Sequence, residues 1–317
     1  MPPTIHDFAR VGLVTYDAFP ALLTGGVTMA QVVDQVGADE YFDAVEITWI
    51  SDPKARALAI EAARNSTLSA LFAAQPYLLA RNLNLSALDN SARVHALKIC
   101  KDAIDQAAAW DARVFSVLSG PDPGPDKRPA ASEALVRSLV ELCAYAADKD
   151  GLTVLLETCD RKPFGANQLV GPTPEAAEIA RQVRARRDNF GLMLNLAHLP
   201  LLDEASPFAL DTAKDYLQAV RLGNCVARNP AHPAYGNHHP PLGILEGEIG
   251  APQLEEFLRE LFRIGFLAEG RARLFELSFD VVPVSGQSPA DLISQSKEML
   301  EAALLAVRPP APPAVTP

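Results

Sequence analysis

Four polar side chains stand within or just after short apolar runs, where a carboxylate, an amide or an imidazole is rare. Glu157 follows VLL, Glu276 stands inside LFELSF, and Asn195 precedes His198 by three residues in LMLNLAHLP. Charges are seldom buried without a partner charge or a metal ion. Two such carboxylates suit general acid/base catalysis or metal binding. The alternative for each glutamate is a structural ion pair with an arginine.

The elements that must position these residues are short apolar or β-branched runs that alternate with helical patterns. The predicted strands are 10–16, 44–50, 68–75, 112–119, 152–158, 190–197, 217–224 and 272–279. Amphipathic helices are predicted at 94–110, 133–149 and 252–266, and Thr173 and Ser288 are predicted N-caps because each precedes a proline.

Eight such units predict an α/β fold, a single-domain (β/α)8 TIM barrel over residues 1–306. A doubly wound open sheet is the alternative, but the sequence contains neither GxGxxG after the first strand nor GxxxxGK[ST]. The Pro-rich segment 307–317, VRPPAPPAVTP, is predicted to be a mobile tail outside the barrel.

Catalytic residues of a barrel come from the carboxyl-terminal ends of its strands and the loops that follow. We therefore predict Glu157 and Glu276 as a catalytic acid/base pair on opposite faces of a substrate. The predicted substrate-binding residues are Glu46, Gln75, His198, Arg221, Asn224 and His239.

Three of these assignments have structural alternatives. Asn195 would equally cap a turn, and His198 would equally pack as a wall residue. Arg221 would either bind an anionic substrate group or neutralise Glu157 or Glu276. The loop 228–250, which contains His239, is expected to cover the barrel mouth, or else to be a solvated loop stiffened by prolines.

Composition and charge limit the classes of partner that we expect the protein to bind. With 49% hydrophobic and 21% charged residues, the chain can bury a large core. The formal net charge of −11 opposes nucleic-acid binding. The sequence contains no apolar run long enough to span a membrane and no signal-peptide pattern at its start, so we expect a cytoplasmic protein without a membrane partner. The four cysteines lack paired spacing and are expected to be reduced thiols.

Taken in chain order, the strand-end motifs resemble the xylose-isomerase-like TIM-barrel family of sugar isomerases and epimerases, which also includes apurinic-site endonucleases. The resemblance implies a divalent metal, Mn²⁺, Mg²⁺ or Co²⁺, held at the ends of strands 5 to 8. The corresponding residues here are Glu157, Asn195, Arg221 and Glu276. NLAH keeps His198 but has Asn195 in place of an aspartate, and VRLGN has Arg221 in place of a histidine.

These two replacements leave Glu157, Asn195 and Glu276 as the expected metal ligands. Arginine is a permanent cation without a lone pair to donate. The alternative is therefore that the site binds no metal and that the Arg221 guanidinium takes the place of the metal's charge.

The resemblance implies a sugar isomerase or epimerase-like enzyme that transfers a proton next to the carbonyl of a keto-sugar or related polyol, and it also implies a homodimer. A non-catalytic carbohydrate-binding or partner subunit, which has lost the metal site, is the main alternative. Phosphodiester cleavage of the endonuclease kind would require a histidine-rich metal cluster and a basic face, which this composition does not favour.

Overall fold

A computed structural model describes residues 4–149, 151–161, 164–271 and 274–307. All eight strands pair in parallel with their neighbours in chain order, and β1 closes on β8, which confirms the predicted (β/α)8 barrel. The strands are β1 (Ala9–Val14), β2 (Ala44–Ile47), β3 (Ser69–Ala73), β4 (Val114–Val117), β5 (Thr153–Glu157), β6 (Phe190–Asn195), β7 (Leu217–Gly223) and β8 (Phe275–Asp280).

A helix of at least eight residues follows each strand and covers the outside of the barrel. The α-helices of the described ranges are α1 (Thr15–Ala18), α2 (Ala21–Thr24), α3 (Met29–Gly37), α4 (Pro53–Arg64), α5 (Gln75–Ala80), α6 (Asn90–Ala109), α7 (Arg128–Ala147), α8 (Thr173–Arg184), α9 (His198–Leu201), α10 (Ser206–Ala213), α11 (Ala251–Arg263) and α12 (Pro289–Ala306). Within the described ranges, no helix is both long and apolar enough to span a bilayer.

Of the two predicted N-caps, Ser288 is confirmed and Thr173 is wrong. Ser288 caps α12, because its Oγ accepts a hydrogen bond from the Asp291 N–H at 3.1 Å. Thr173 is instead the first residue of α8, and Pro172 precedes it. The Thr173 side chain donates to Glu204, so that it ties α8 to the loop before α10. Apart from Val307, the predicted tail lies outside the described residues.

The two largest parts of the core lie between the strands and helices and inside the barrel. The interior cluster is Ala44, Leu71, Val114, Leu155, Met193 and Ala219. Side chains alternate across a strand, so the residue two positions further along each strand also faces the interior, nearer the carboxyl-terminal end. That rule places polar residues directly above the apolar cluster.

Strand β8 corrects one sequence prediction. Glu276 is the second residue of β8 and pairs in register with Arg10, near the amino-terminal end of the barrel. The predicted strand ended at residue 279, whereas β8 ends at Asp280. Since Glu276, Ser278 and Asp280 share one face of the strand, Asp280 rather than Glu276 reaches the carboxyl-terminal mouth.

Candidate active site at the carboxyl-terminal mouth

The polar layer above the interior cluster is almost completely buried. It comprises Glu46 on β2, Ser116 on β4, Glu157 on β5, Asn195 on β6, Arg221 on β7 and Asp280 on β8, all at most 3% exposed. Parallel strands bring their carboxyl ends to one end of a barrel, which explains why residues so distant in sequence meet there.

Arg221 is the centre of this layer. Its Nε donates to Glu46 Oε2 at 3.0 Å, and its Nη2 donates to the same carboxylate. Its Nη1 lies 3.2 Å from both carboxylate oxygens of Glu157. Burial opposes its charge, but Glu157 and Glu46 raise the pKa of Arg221 well above the ordinary value. The guanidinium is therefore a fixed cation between two carboxylates.

Glu157 has a second set of contacts on the side of β3 and β4. Gln75 Nε2 donates to Glu157 Oε2 at 2.9 Å, and Ser116 Oγ donates to Gln75 Oε1 at 3.0 Å. Gln75 lies in the first turn of α5, directly after β3. The Ser116–Gln75 chain orients the Glu157 carboxylate towards Arg221.

Asn195 joins β6 to β8. Its Nδ2 donates to Asp280 Oδ2 at 2.6 Å, and its Oδ1 accepts from the Ala197 N–H at 3.0 Å. The second bond is the turn cap that the structural alternative for Asn195 predicts. Both ends of the amide are thus engaged, and β7 passes close by at Gly223.

Asp17, His239 and Asp280 form a second charged group beside Arg221. His239 Nδ1 lies 3.1 Å from Asp280 Oδ1 and 3.7 Å from Asp17 Oδ2. Burial disfavours the imidazolium, but the attraction of Asp280 and the hydrogen bond to Asp17 raise the pKa of His239 to about 10. Burial also raises the pKa of Asp17 to about 7. The His239 imidazolium is therefore a second cation of the site at neutral pH.

His198 is neutral and held in one orientation. Its Nδ1 lies 2.7 Å from the carbonyl oxygen of Thr158, which can only accept, so Nδ1 carries the proton. Burial lowers the pKa of His198 below its ordinary value. Its Nε2 faces the Cys159 thiol at 3.9 Å, and its ring lies 5.5 Å from the His239 ring, centroid to centroid.

Asn224 supports the mouth loop instead of pointing at the charged group. Its Nδ2 donates to the Pro241 carbonyl, and its Oδ1 accepts from the N–H groups of Cys225 and Ile249, each at 2.8 Å. These bonds anchor the loop 228–250, which brings His239 over the barrel mouth.

Apart from Asn224, which holds the mouth loop, the predicted site residues divide into two groups. The structure brings together Glu46, Gln75, Glu157, Asn195, His198, Arg221 and His239 at the mouth, and it leaves Glu276 apart. Glu276 lies 3.5 Å from Arg10 Nε at the opposite end of the barrel. This position separates Glu276 from Glu157 and Asn195, with which it was predicted to act.

The donors around Glu157 do not fit a divalent metal ion. Its two oxygens face the guanidinium, and the amide of Asn195 is occupied by Asp280 and a turn. At an effective dielectric constant of 20, a dication 4 Å from a guanidinium is repelled by about 8 kcal/mol, twice the value for two unit charges. Asp17, His239 and Asp280 offer ligand atoms within 4.8 Å of one another, but Asp280 Oδ2 lies 3.6 Å from Arg221 Nη1, so a dication bound there would also lie close to the guanidinium.

Sequence reasoning did not identify Asp280 or Asp17 as site residues. The period of two along FELSFD was the available signal for Asp280, because it makes Asp280 the last inward residue of β8. Asp17 lies in α1, directly after β1. Its importance depends on the approach of His239, which is 222 residues away in sequence, and no local pattern reports that approach.

Solved structures with the same fold extend over nearly the whole chain. D-psicose 3-epimerase from Clostridium cellulolyticum H10, solved with D-tagatose, is 18% identical with a TM-score of 0.62 and covers 94% of this chain and 98% of its own. The IOLI protein with a bound zinc atom is 14% identical with a TM-score of 0.70, covering 94% and 99%. A family 2 AP endonuclease from Brucella melitensis is 17% identical with a TM-score of 0.61, covering 89% and 95%.

Sequence comparison gives the family directly. No curated protein sequence matches the chain significantly. Residues 35–302 match the family described as the xylose isomerase-like TIM barrel, which is the family that the strand-end motifs resemble. The chain belongs to the xylose isomerase-like TIM-barrel family.

Proposed function

We propose that this protein is a sugar isomerase or epimerase-like enzyme that transfers a proton next to the carbonyl of a keto-sugar or related polyol. One observation carries the proposal: the Arg221 guanidinium is fixed between Glu157 and Glu46 at the carboxyl-terminal mouth of the barrel. A carboxylate beside a fixed cation is the arrangement that abstraction of a carbon-bound proton requires. Family membership and the sugar 3-epimerases among the solved structures of this fold also support it.

In this proposal Glu157 is the base and Arg221 stabilises the developing negative charge. The substrate carbonyl accepts a hydrogen bond from Arg221 in place of one Glu157 oxygen. That exchange frees the carboxylate to accept the proton from the neighbouring carbon, while the guanidinium stabilises the enolate oxygen. Gln75 keeps its hydrogen bond to Glu157 and holds the carboxylate in position.

Asp17 takes the role of second proton carrier in place of Glu276. Its carboxyl is half-buried at the mouth, and its pKa of about 7 lets it donate or accept a proton near neutral pH. His198 and His239 are proposed to bind substrate hydroxyls.

Proton exchange with solvent tests this proposal across a range of candidate sugars at once. A panel of ketopentoses and ketohexoses is incubated with the protein in D₂O, and NMR measures deuterium at the carbon next to the carbonyl. We expect Glu157→Gln to slow exchange about 100-fold or more, since the amide cannot accept the proton. Glu276→Gln, at the other end of the barrel, is the matched control and should keep the wild-type rate within a few-fold.

A non-catalytic carbohydrate-binding or partner subunit is the second candidate. The observation that favours it is the saturation of Glu46 and Glu157 by bonds from Arg221. It predicts saturable sugar binding by calorimetry without any deuterium incorporation. Equal exchange rates in Glu157→Gln and the wild type would rule out the enzymatic role proposed for Glu157.

A further inference from the structure

A single nitrogen of Arg221 occupies the point where three carboxylate oxygens converge. Nη1 lies 3.2 Å from each oxygen of Glu157 and 3.6 Å from Asp280 Oδ2. These oxygens come from β5 and β8, and the nitrogen comes from β7, which lies next to β8 in the barrel. A metal ion shared by Glu157 and Asp280 would have to take this position.

The guanidinium is also held from its other side, so it has little freedom to leave. Nη2 donates to the Tyr16 hydroxyl at 3.2 Å, and both Nε and Nη2 donate to Glu46. The Arg221 side chain is only 4% exposed. Moving it away would leave the buried Glu46 and Glu157 carboxylates without their cation, which is strongly unfavourable.

We propose that the Arg221 guanidinium is the resident cation of this site, that it excludes a divalent metal ion, and that its removal converts the carboxylates around it into a metal site. Metal exclusion does not depend on the reaction. Only the catalytic role of the guanidinium rests on the proposed function.

The residues exposed by removing Arg221 form a suitable oxygen donor set. Glu46, Glu157 and Asp280 would provide carboxylates from three strands, all within reach of the vacated guanidinium. Carboxylate oxygens are the ligands that Mn²⁺ and Mg²⁺ prefer, and both ions keep water ligands where protein ligands are few. The negative charge left behind favours a dication over water.

Titration with Mn²⁺ tests this inference on three proteins: the wild type, Arg221→Ala and Arg221→Lys. Each is dialysed against chelator, and binding is measured by calorimetry and by the EPR signal of free Mn²⁺. Arg221→Ala should bind one equivalent at least 100-fold more tightly than the wild type. Arg221→Lys should behave like the wild type, because the ammonium group keeps a positive charge among the carboxylates. Adding Glu157→Gln to Arg221→Ala should abolish the gain.

In the absence of metal, the unpaired carboxylates of Arg221→Ala destabilise the folded state. Circular dichroism is therefore recorded with and without Mn²⁺. Folding that depends on Mn²⁺ supports the inference. If the variant stays unfolded in both conditions, Arg221→Gln, which can still donate to a carboxylate, replaces it and must show the same gain. A folded variant without the gain overturns the inference. One equivalent of Mn²⁺ in the wild type, lost in Glu157→Gln or Asp17→Asn, also overturns it, and neither result depends on turnover.

Discussion

At the level of single residues, the mouth of the barrel contains two protein cations among four carboxyl groups. Arg221 contacts Glu46, Glu157 and Asp280, and His239 contacts Asp280 and Asp17. Asp280 is therefore shared between the two cations. Burial opposes its charge, but His239 and Arg221 hold its pKa well below the ordinary value. Because Asp280 contacts both cations, the titration of His239 in the mouth loop is coupled to the charges around Arg221 in the centre of the barrel.

The raised pKa of His239 predicts that stability depends on pH. Its folded-state pKa of about 10 exceeds the ordinary value of 6.5, so its stabilising contribution is complete below pH 6.5 and is lost as the pH rises towards 10. Asp280, Asp17 and the neutral His198 face this imidazole, and His239 lowers the pKa of Asp17, so Asp17 titrates at a higher pH in a variant without His239. Because the variant then also loses some stability over this range, we expect the wild type to lose about 1–2 kcal/mol more unfolding free energy than His239→Gln between pH 7.5 and 9.5.

Urea unfolding at pH 7.5 and at pH 9.5 measures how much unfolding free energy each of the two proteins loses over this range. Groups that titrate elsewhere in the molecule contribute equally to both proteins and cancel. Parallel stability curves for the wild type and the variant would show that His239 is not protonated in the folded protein.

At the level of elements, side chains alternate between the two faces of each strand. This alternation places the inward residues of the eight strands in layers, and the site is one of these layers. The interior cluster forms the floor, and the next inward residues are polar. The eight strands could be predicted because apolar runs and helical patterns are local signals. Their ends could not be fixed equally well, because tertiary pairing decides where a strand stops. An error of one residue at the end of β8 was enough to exclude Asp280.

Gly223 shows how tightly the ends of β6, β7 and β8 approach each other. A Cβ added to it would lie 2.7 Å from Asn195 Oδ1, 3.0 Å from Ala197 Cβ and 3.0 Å from the Asp280 carbonyl oxygen. We expect Gly223→Ala to lower the free energy of unfolding by about 1–3 kcal/mol, because two of these atoms belong to the neighbouring backbone or its Cβ and cannot swing aside. The variant should also weaken the proposed sugar binding, because it displaces Asn195 and Asp280.

Gly26→Ala is the matched control for this prediction. Its added Cβ would meet its nearest neighbour, Ala21 Cβ, at an ordinary contact distance of 3.4 Å. Chemical denaturation of both variants compares the two sites. If both alanines cost the same, close packing at the strand ends is not what requires glycine at position 223.

At the level of the whole molecule, two clusters of buried charged residues lie at opposite ends of the barrel. Arg10 and Glu276 lie near the amino-terminal end, and Arg221 with its carboxylates lies at the mouth. Both glutamates of the predicted pair follow apolar residues, so sequence alone cannot tell which end each one reaches. Contacts such as Arg221 to Glu46 join residues 175 positions apart, and only the closed barrel determines them.

Asn224 connects the barrel to the loop that completes the mouth, and its replacement tests whether that loop depends on one anchor. Asn224→Ala would leave the Pro241 carbonyl and the N–H groups of Cys225 and Ile249 without their buried partner. Each unsatisfied group costs about 1–3 kcal/mol unless the loop opens to water. We therefore expect faster amide hydrogen exchange at Ile249 and in the segment around it, and a reduced pH dependence of stability as His239 separates from Asp280. Asn229→Ala is the control, because Asn229 lies in the same loop and its side chain makes only exposed bonds, donating to Glu246 and accepting from the Ala231 N–H. Unchanged exchange in Asn224→Ala would mean that the loop is held by His239 and the Asn237 contacts with the loop after β5 instead.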